Sequence, residues 1–477
     1  MDAGVETKKI LIINKIMQIN TKLIPSAPGV YIVGGTIRDM LMDKAPTDFD
    51  IAAVPPCEPL AREIAAKAGS RVVPIGKPGA MIYHIAAGDR SFDIAPLCGE
   101  SIEADLRRRD FTVNAMAWDV AGARLIDPLS GAADLEARQI RMISPQNLEI
   151  DPIRLLRAFR LAAGLSFSIE ADTWAAVAAR ADRIQEAAGE RIREEWMKIL
   201  AVDAALPHIR EMDAAGLLTA IFPELAGLKH CRQNGHHEFD GFFHTLSAFS
   251  HLEALLCHPE TLQPERIQPE TGRSGRPAAA DPVRLKLALL LHDIGKPACR
   301  SRDVAGCIHF YRHESAGADM AAAAGRRLRL SNRHQAYIDF IIRNHLRPLF
   351  LFTGHQVQKL TRKGITRFFR QSAPLTVDLL IHSIADARGK TSGERQTAFE
   401  SFCRQLIRSY LDQFVPKAAS PPLITGHDLI RQCGLSPSPL FSEILSRVET
   451  ERLAGRLNSR GDALKWVKNF LNGHPHS

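Results

Sequence analysis

The chain has no C-x-x-C pair, and its eight cysteines are scattered. That excludes a zinc knuckle and gives no sign of a disulfide framework, so reduced cytoplasmic thiols are the expectation. No apolar run reaches the ~20 residues of a membrane-spanning helix, so no membrane partner is expected. Ile10 to Ile13 is too short for a signal peptide and is interrupted by Asn14-Lys15. Internal repeats and low-complexity tracts are missing too, which sets aside a solenoid. What remains is 477 residues of ordinary apolar and charged content, enough for two to four domains with real cores. A net charge of +8 and a pI near 9.1 favour a polyanionic partner.

The most informative stretch runs from Tyr31 to Ile51, YIVGGTIRDMLMDKAPTDFDI. Tyr31-Ile32-Val33 is a strand candidate by length and β-branching. Gly34-Gly35 stops it, and Thr36 to Met42 has helical spacing. After Ala45-Pro46, the segment Thr47-Asp48-Phe49-Asp50-Ile51 alternates. Residues two apart on a strand share a face, so Asp48 and Asp50 point one way while Phe49 and Ile51 point the other. Two adjacent carboxylates repel; a divalent cation removes the repulsion, and oxygen ligands of this kind suit Mg²⁺. Glycines at a strand-to-helix turn let the backbone approach a bulky anion, and the helix start offers free N–H groups. Arg38 in the first turn adds a charge-assisted contact to phosphate. A glycine turn or an acidic surface loop would explain either half alone; together, in this order, they favour a metal–triphosphate site.

Residues 1–28 read as a helical lead-in. Beyond the central stretch, Glu58 to Ala68 reads as a helix, and Arg71 to Ile75, Ala80 to Ala86 and Ser91 to Ala95 as short strands. Alternation sets Asp93 opposite Phe92 and Ile94. There it completes the metal site, acts as a base, or is an edge-strand carboxylate facing water. The run from Leu106 to Ala115 holds three arginines that a solvated basic face would explain. Asp110 and Asn114, however, stand one helical turn apart and can meet one ligand. A ribose hydroxyl suits Asp110 or Asn114, and a phosphate suits Arg109. From about residue 145 helical patterns dominate. Asp151-Pro152-Ile153-Arg154 places proline at a helix start, with Asp151 and Arg154 on one face. The couple is either an ordinary ion pair or a base reader. Cytosine and adenine offer an exocyclic amine to Asp and a ring acceptor to Arg, whereas uracil and guanine put a carbonyl where the amine would be.

In this order the motifs resemble those of class II tRNA nucleotidyltransferases and bacterial poly(A) polymerases, over about Val30 to Leu200. The resemblance implies that Gly34, Gly35, Arg38 and Asp39 form the triphosphate-binding turn and that Asp48 and Asp50 hold metal. It implies that Arg109, Asp110 and Asn114 meet the sugar, and that Asp151 and Arg154, with Arg157 alongside, select CTP and ATP. The segment Glu190-Arg191-Ile192-Arg193-Glu194-Glu195 resembles a helix that supports this template. The implied reaction is in-line attack of a tRNA 3′-hydroxyl on the nucleotide α-phosphate, with Asp93 assisting. Two departures bear on the product. Ile150 stands where the template motif usually carries an acid. Only the link Pro96 to Leu106 joins the Asp93 strand to the arginine run, and its shortness resembles enzymes that add CC alone. Ile75 to Ala80 matches poorly the basic, His-containing segment of poly(A) polymerases, which leans toward tRNA.

The second half holds an independent constellation. His244 precedes a helical run, His292-Asp293 ends the apolar stretch Leu285 to Leu291, and His313, His345 and Asp386 follow on later helical segments. A lone His is usually structural, but His beside Asp at the end of an apolar helix, with further His on flanking helices, is a metal cluster in kind. The order resembles the HD phosphohydrolase superfamily. It implies a second divalent metal on His244, His292, Asp293 and Asp386, with His313 and His345 as further ligands, and hydrolysis of phosphoesters by a metal-activated water. Pro259 to Pro282 reads as a mobile loop insertion. Arg408, Arg431, Arg447, Arg452 and Arg456 suit RNA phosphates or a solvated helical surface equally.

The expected fold class is α+β: a small mixed-sheet, polymerase-β-like head over residues 1–145, a helical neck over 146–225, an HD domain over 226–390 and a helical tail over 391–477. The expected activity is addition of CMP, with AMP left open, from CTP and ATP to the tRNA 3′ end. CC-only addition, A-only addition and poly(A) synthesis are the alternatives. The competing class is an HD hydrolase whose first half only binds RNA.

Overall fold

Period-2 patterning builds the first part of the chain around one sheet. The computed structural model describes residues 23–77, 81–231, 240–262, 281–390 and 393–472. The expected lead-in lies outside them as far as residue 22, as do residues 78–80 and residues 263–280 of the expected loop insertion. The chain divides after Ile221 into two compact units.

In the first unit, β1 (Val30–Val33), β2 (Asp48–Ala53), β3 (Val72–Ile75), β4 (Ile82–Ala87), β5 (Arg90–Pro96), β6 (Ala117–Asp119) and β7 (Arg124–Ile126) form one sheet in the order β3-β4-β5-β2-β1-β6-β7. All neighbours are antiparallel except β2 and β5, which run parallel with Asp50 level with Asp93. A parallel pair needs a long connection. It is supplied by α2 (Glu58–Ala68) and the β3–β4 hairpin.

One sheet face buries Ile32, Phe49, Ile51, Ile85, Phe92 and Ile94 against α1 (Gly35–Leu41) and α2. Phe49 and Phe92 stack with ring centroids 5.1 Å apart. Each such fully buried side chain contributes about 1.5–3 kcal/mol, so the register that buries them is strongly favoured. The same register turns Asp48, Asp50 and Asp93 to the opposite face. That face is covered only in part, where Val33, Ala52 and Ala117 meet Ile102 and Leu106 of α3 (Ile102–Arg107). The link from β5 to α3 spans residues 97–101 and is pinned. The Leu97 amide donates to the Ala53 carbonyl (2.9 Å), the Cys98 amide donates to Asp105 Oδ1 (3.0 Å), and Ser101 Oγ caps α3. Helices follow, among them α4 (Ile153–Leu165) and α5 (Gly189–Leu200), which pack on each other and bury Leu156 and Phe159 of the first and Trp196 and Ile199 of the second.

The second unit is helical. α6 (Gly241–Cys257), α7 (Pro282–Leu291), α8 (His313–Arg327), α9 (Asn332–Asn344) and α10 (Thr376–Arg388) pack together, and among the described residues the strands are one small hairpin, Arg300–Arg302 with Ile308–Phe310. α7 is buried nearly all round, as its leucines require, and the buried Lys286 that interrupts them pairs with Glu253 (2.8 Å). At the chain end, Ile424, Leu429, Ile444, Val448 and Val467 close a small core of their own. The architecture is α+β, a sheet-bearing first unit followed by helices.

Candidate active site and candidate metal centre

β1 delivers the chain to Gly34, whose φ of +69° is left-handed. A Cβ there would lie 2.8 Å from Arg109 Nη1, closer than real contacts allow, and 3.4 Å from Asp50 Oδ2. The left-handed φ favours glycine, and a side chain there would also displace the Arg109 guanidinium. Thr36 then fastens α1 to β2: its hydroxyl donates to the Asp48 carbonyl (3.1 Å) and accepts from the Asp50 amide (3.0 Å). This clamp holds both acidic residues at the mouth of a cleft of about 540 Å³ lined by Gly34, Gly35, Arg38, Asp48, Asp50, Arg109, Asp110 and Asn114, among others. Seven cationic side chains face four carboxylates around it. An excess of three positive charges suits a polyphosphate.

Asp50 opens to the cleft yet is ringed by protein. Burial pushes its carboxyl up, Arg109 opposes that, and the charges of Asp93 and Asp48 add to it. Asp48 accepts a hydrogen bond from Ser91 Oγ at 2.6 Å, and Asp93 sits 2.7 Å from His84 Nδ1. Like charge is thus left on Asp50, and a divalent cation would relieve it, which is how these residues fit a metal. Asp93 is level with Asp50 on the neighbouring strand but does not line the cleft.

The sugar candidates converge by a route other than the expected one. Asp110 and Asn114 are not a turn apart on an α-helix; Phe111 is extended and Thr112–Asn114 is a short 3₁₀ turn. They still meet, Asn114 Nδ2 donating to Asp110 Oδ1 (3.1 Å), because the tight turn folds back on itself. Arg38 Nη1 donates to Asn114 Oδ1 (2.7 Å) and its Nε to Asp39 (2.9 Å). Arg157 Nη1 lies 3.2 Å from Asp110 Oδ2. Burial alone would raise the Asp110 carboxyl, but Arg157, Asn114 and the Phe111 amide outweigh it and hold it low. Arg109 is held by Asp105 through Nε (3.1 Å) and Nη2 (3.0 Å).

The base-reading pair also differs from its expectation. Pro152 caps α4 and Asp151 is extended before it, so Asp151 and Arg154 do not share a helical face. Asp151 is instead gripped bidentately by Arg191 of α5 (2.9 and 2.8 Å), which holds its carboxyl below the usual range against the opposing effect of burial. Arg154 donates from Nη1 to the carbonyls of Arg109 (3.2 Å) and Asn147 (3.0 Å). Arg154 lines the cleft; Asp151 does not. Arg160 and Lys198 line it as well, which sequence reasoning missed. Arg160 was findable, three residues beyond Arg157 on the same helix.

In the second unit the six expected residues come together. His244 Nε2 is 2.9 Å from Asp386 Oδ1 and 3.6 Å from Asp293 Oδ2. His292 Nε2 is 3.1 Å from Asp293 Oδ2 and 3.4 Å from Asp386 Oδ1, and His313 Nε2 lies 3.3 Å from His345 Nε2. Each of these four histidines presents Nδ1 to a backbone carbonyl: His244 to Gly389, His292 to Leu289, His313 to Phe310 and His345 to Ile342. That fixes the tautomer and aims Nε2 at the cluster, the arrangement of metal-bound imidazoles. Gly295 permits the approach, since a Cβ there would strike the His313 carbonyl at 2.3 Å.

His292 Nε2 and Asp293 Oδ2 are both buried and lie 3.1 Å apart without an aligned hydrogen bond between them, and the cation that balances Asp293 Oδ2 is Lys296. Two groups, His244–His292–Asp386 and His292–Asp293–His345, have donor atoms within 4.8 Å of one another; no other such group occurs among the described residues. Burial opposes charge on His292, yet Asp293 and Asp386 push it up to about 9; burial, with the His292 charge, drives His345 down to about 3. Lys296 and Lys390 neutralise Asp293 (2.6 Å) and Asp386 (2.9 Å). Sequence reasoning missed His382, fully buried with both ring nitrogens unpartnered and its ring 5.2 Å from that of His292. Its position one turn before Asp386 on α10 was the signal.

Three family models match the chain: the poly(A) polymerase head domain over residues 30–141, the probable RNA and SrmB-binding site of polymerase A over 166–228, and the HD domain over 243–388. The A-adding tRNA nucleotidyltransferase of Deinococcus radiodurans is 33% identical over 463 residues, covering 95% of this chain and 98% of that protein. The CC-adding tRNA nucleotidyltransferase of Thermus thermophilus is 31% identical over 462 residues, covering 94% and 97%. Among solved structures, the Thermotoga maritima CCA-adding enzyme complexed with tRNA superposes with a TM-score of 0.61 at 21% identity, covering 99% of this chain and 96% of that one.

Proposed function

Because the chain belongs to the tRNA nucleotidyltransferase family, whose members carry a poly(A) polymerase head, we propose that it extends the 3′ end of tRNA toward CCA with CMP and AMP from CTP and ATP. One observation carries this reading: Asp48 and Asp50 project together from one strand into a cationic cleft beside the left-handed turn at Gly34. A cytoplasmic location, where these substrates meet, is part of the proposal.

In this reading Gly34, Gly35 and Arg38 receive the triphosphate, Arg109, Asp110 and Asn114 frame the sugar, and Asp48 and Asp50 hold Mg²⁺. A divalent ion at such carboxylates supplies Lewis-acid stabilisation of the phosphate charge. Asp93 assists at the attacking 3′-hydroxyl. Arg154 in the cleft lining chooses the base together with Asp151, which stands outside that lining with its carboxylate kept ionised by Arg191 and must face the cleft when a nucleotide is bound. Functions divide along the chain as head (1–145), neck (146–225), HD domain (226–390) and tail (391–477). The HD cluster is a second divalent-metal centre on His244, His292, Asp293 and Asp386, with His313 and His345 beside it. Bound metal there would supply an activated water for phosphoester hydrolysis.

The test gives the purified protein tRNAs ending before C, after C and after CC, with labelled CTP or ATP. Two CMP additions, one CMP addition and one AMP addition respectively are expected. No incorporation on any of them, or an unbounded A tail, overturns the proposal. Arrest after CC would tie product length to the pinned five-residue link between β5 and α3.

A further inference from the structure

Across the open face of the sheet one lateral row crosses four strands: Asp50 on β2, Asp93 on β5, His84 on β4 and Val73 on β3. The first two are carboxylates of the proposed reaction. The third is a histidine to which no role has been assigned. Its Nδ1 lies 2.7 Å from Asp93 Oδ1, the one side-chain hydrogen bond of that carboxylate among the described residues. The ring is one-third exposed and the Asp93 side chain 45% exposed, so this bond is not a device for burying either group. Beyond His84 the row ends on Val73, half exposed on the edge strand, and nothing else on the row competes for the imidazole.

Each carboxylate on this face has its own partner. Ser91 Oγ donates to Asp48, Arg109 stands beside Asp50, and His84 serves Asp93. An exposed carboxylate rotates freely about its last bond unless a donor holds one oxygen. Donation from an imidazole N–H fixes the plane of the group and the tautomer of the ring together, the orienting role that outer partners play around reactive groups.

We propose that His84 is a positioning residue for nucleotide addition: it donates from Nδ1 to Asp93 Oδ1 and so orients the other oxygen toward the Asp50 side, where the RNA 3′-hydroxyl must lie. This rests on the reading of Asp93 given above. The triphosphate cradle at Gly34 and Arg38 is on other elements, so nucleotide affinity is not His84's task.

The test compares His84→Ala, His84→Asn, Asp93→Asn and the His84→Ala/Asp93→Asn double variant in CMP addition to a tRNA primer, with thermal melting of each. Asn places an amide N–H near where Nδ1 stood. His84→Ala should lower kcat about 10–100-fold, as loss of an orienting partner does, with KM for CTP within about twofold. His84→Asn should recover most of the rate, and the double variant should be no slower than Asp93→Asn alone. A wild-type kcat for His84→Ala while Asp93→Asn is crippled overturns the role of His84, as does a loss that Asn cannot rescue or one that merely tracks a lowered Tm. Wild-type turnover by Asp93→Asn overturns instead the reading of Asp93 on which the inference stands.

Discussion

The two constellations use the same few residue types in opposite ways. In the first unit, carboxylates stand on strands at an open cleft whose walls carry surplus positive charge, and at Asp50 burial with the charges of Asp93 and Asp48 outweighs the nearby Arg109. In the second, histidines and carboxylates are sealed inside a helical core, every cluster imidazole except His382 is anchored through Nδ1, and two lysines already balance the acids. In the proposed reading the first is completed by its substrate: a nucleotide would bring the negative charge the cleft lacks. The second has its acids balanced within the protein, as buried charge requires, yet it leaves His292 Nε2 and both ring nitrogens of His382 without hydrogen-bond partners. An open site pays for specificity at binding; a sealed one must be assembled on folding.

Breaking the first site should do the most damage. Asp48→Asn/Asp50→Asn should lower CMP incorporation about a thousandfold or more, the scale of lost metal stabilisation of a phosphoryl transition state. Metal bound by the second unit, read by elemental analysis, should not change. If incorporation survives, the contrast between the two sites is drawn wrongly.

Next in size is the converse. Asp293→Asn, which keeps the volume of the buried side chain, should weaken retention of Mn²⁺ or Zn²⁺ after dialysis by about a hundredfold. CMP incorporation should stay within about twofold. Joint loss of both would mean that the two sites are not independent.

A smaller effect sharpens the account of the cleft. Arg191→Ala frees Asp151 from its bidentate grip, and discrimination of CTP over UTP should fall about tenfold, the worth of one lost charged hydrogen bond. Arg191→Lys should restore little, because a point charge cannot reproduce the fork.

The smallest effect concerns neither site. Arg460 and Thr425 hold Asp428 down to about 2, below its ordinary 3.8. Its stabilising contribution is therefore in place above 3.8 and is lost as pH falls from there toward 2. Asp428→Asn should melt with a smaller drop in Tm between about pH 6 and about pH 3 than the parent chain shows.

How far the sequence could be read depended on the distance over which each signal acts. The strand-borne acids were legible because alternation acts within five residues, and Glu58 to Ala68 is the helix its spacing implied. The six residues of the second cluster were legible through the order of their segments, which resembles the HD superfamily, and through His292-Asp293 ending an apolar stretch. Their mutual distances, and the place of His382 among them, were not. Asp151 shows the limit most plainly. Spacing paired it with Arg154, three residues on, yet proline shifted the helix start beyond Asp151, and its partner came from forty residues away. His84 drew no notice because a single histidine on an edge-proximal strand carries no pattern at all.

Composition and short-range periodicity alone determined that this chain has a sheet-bearing half and a helical half, which side chains leave a strand together, and where glycine must turn the backbone. Those properties follow from local backbone geometry, which each segment carries with it. Tertiary structure alone decided that Arg191 grips Asp151, that His84 meets Asp93 and that a fifth histidine stands beside the buried cluster. The reason is that strand order and helix packing are set by burial summed over the whole core, and no segment holds that sum.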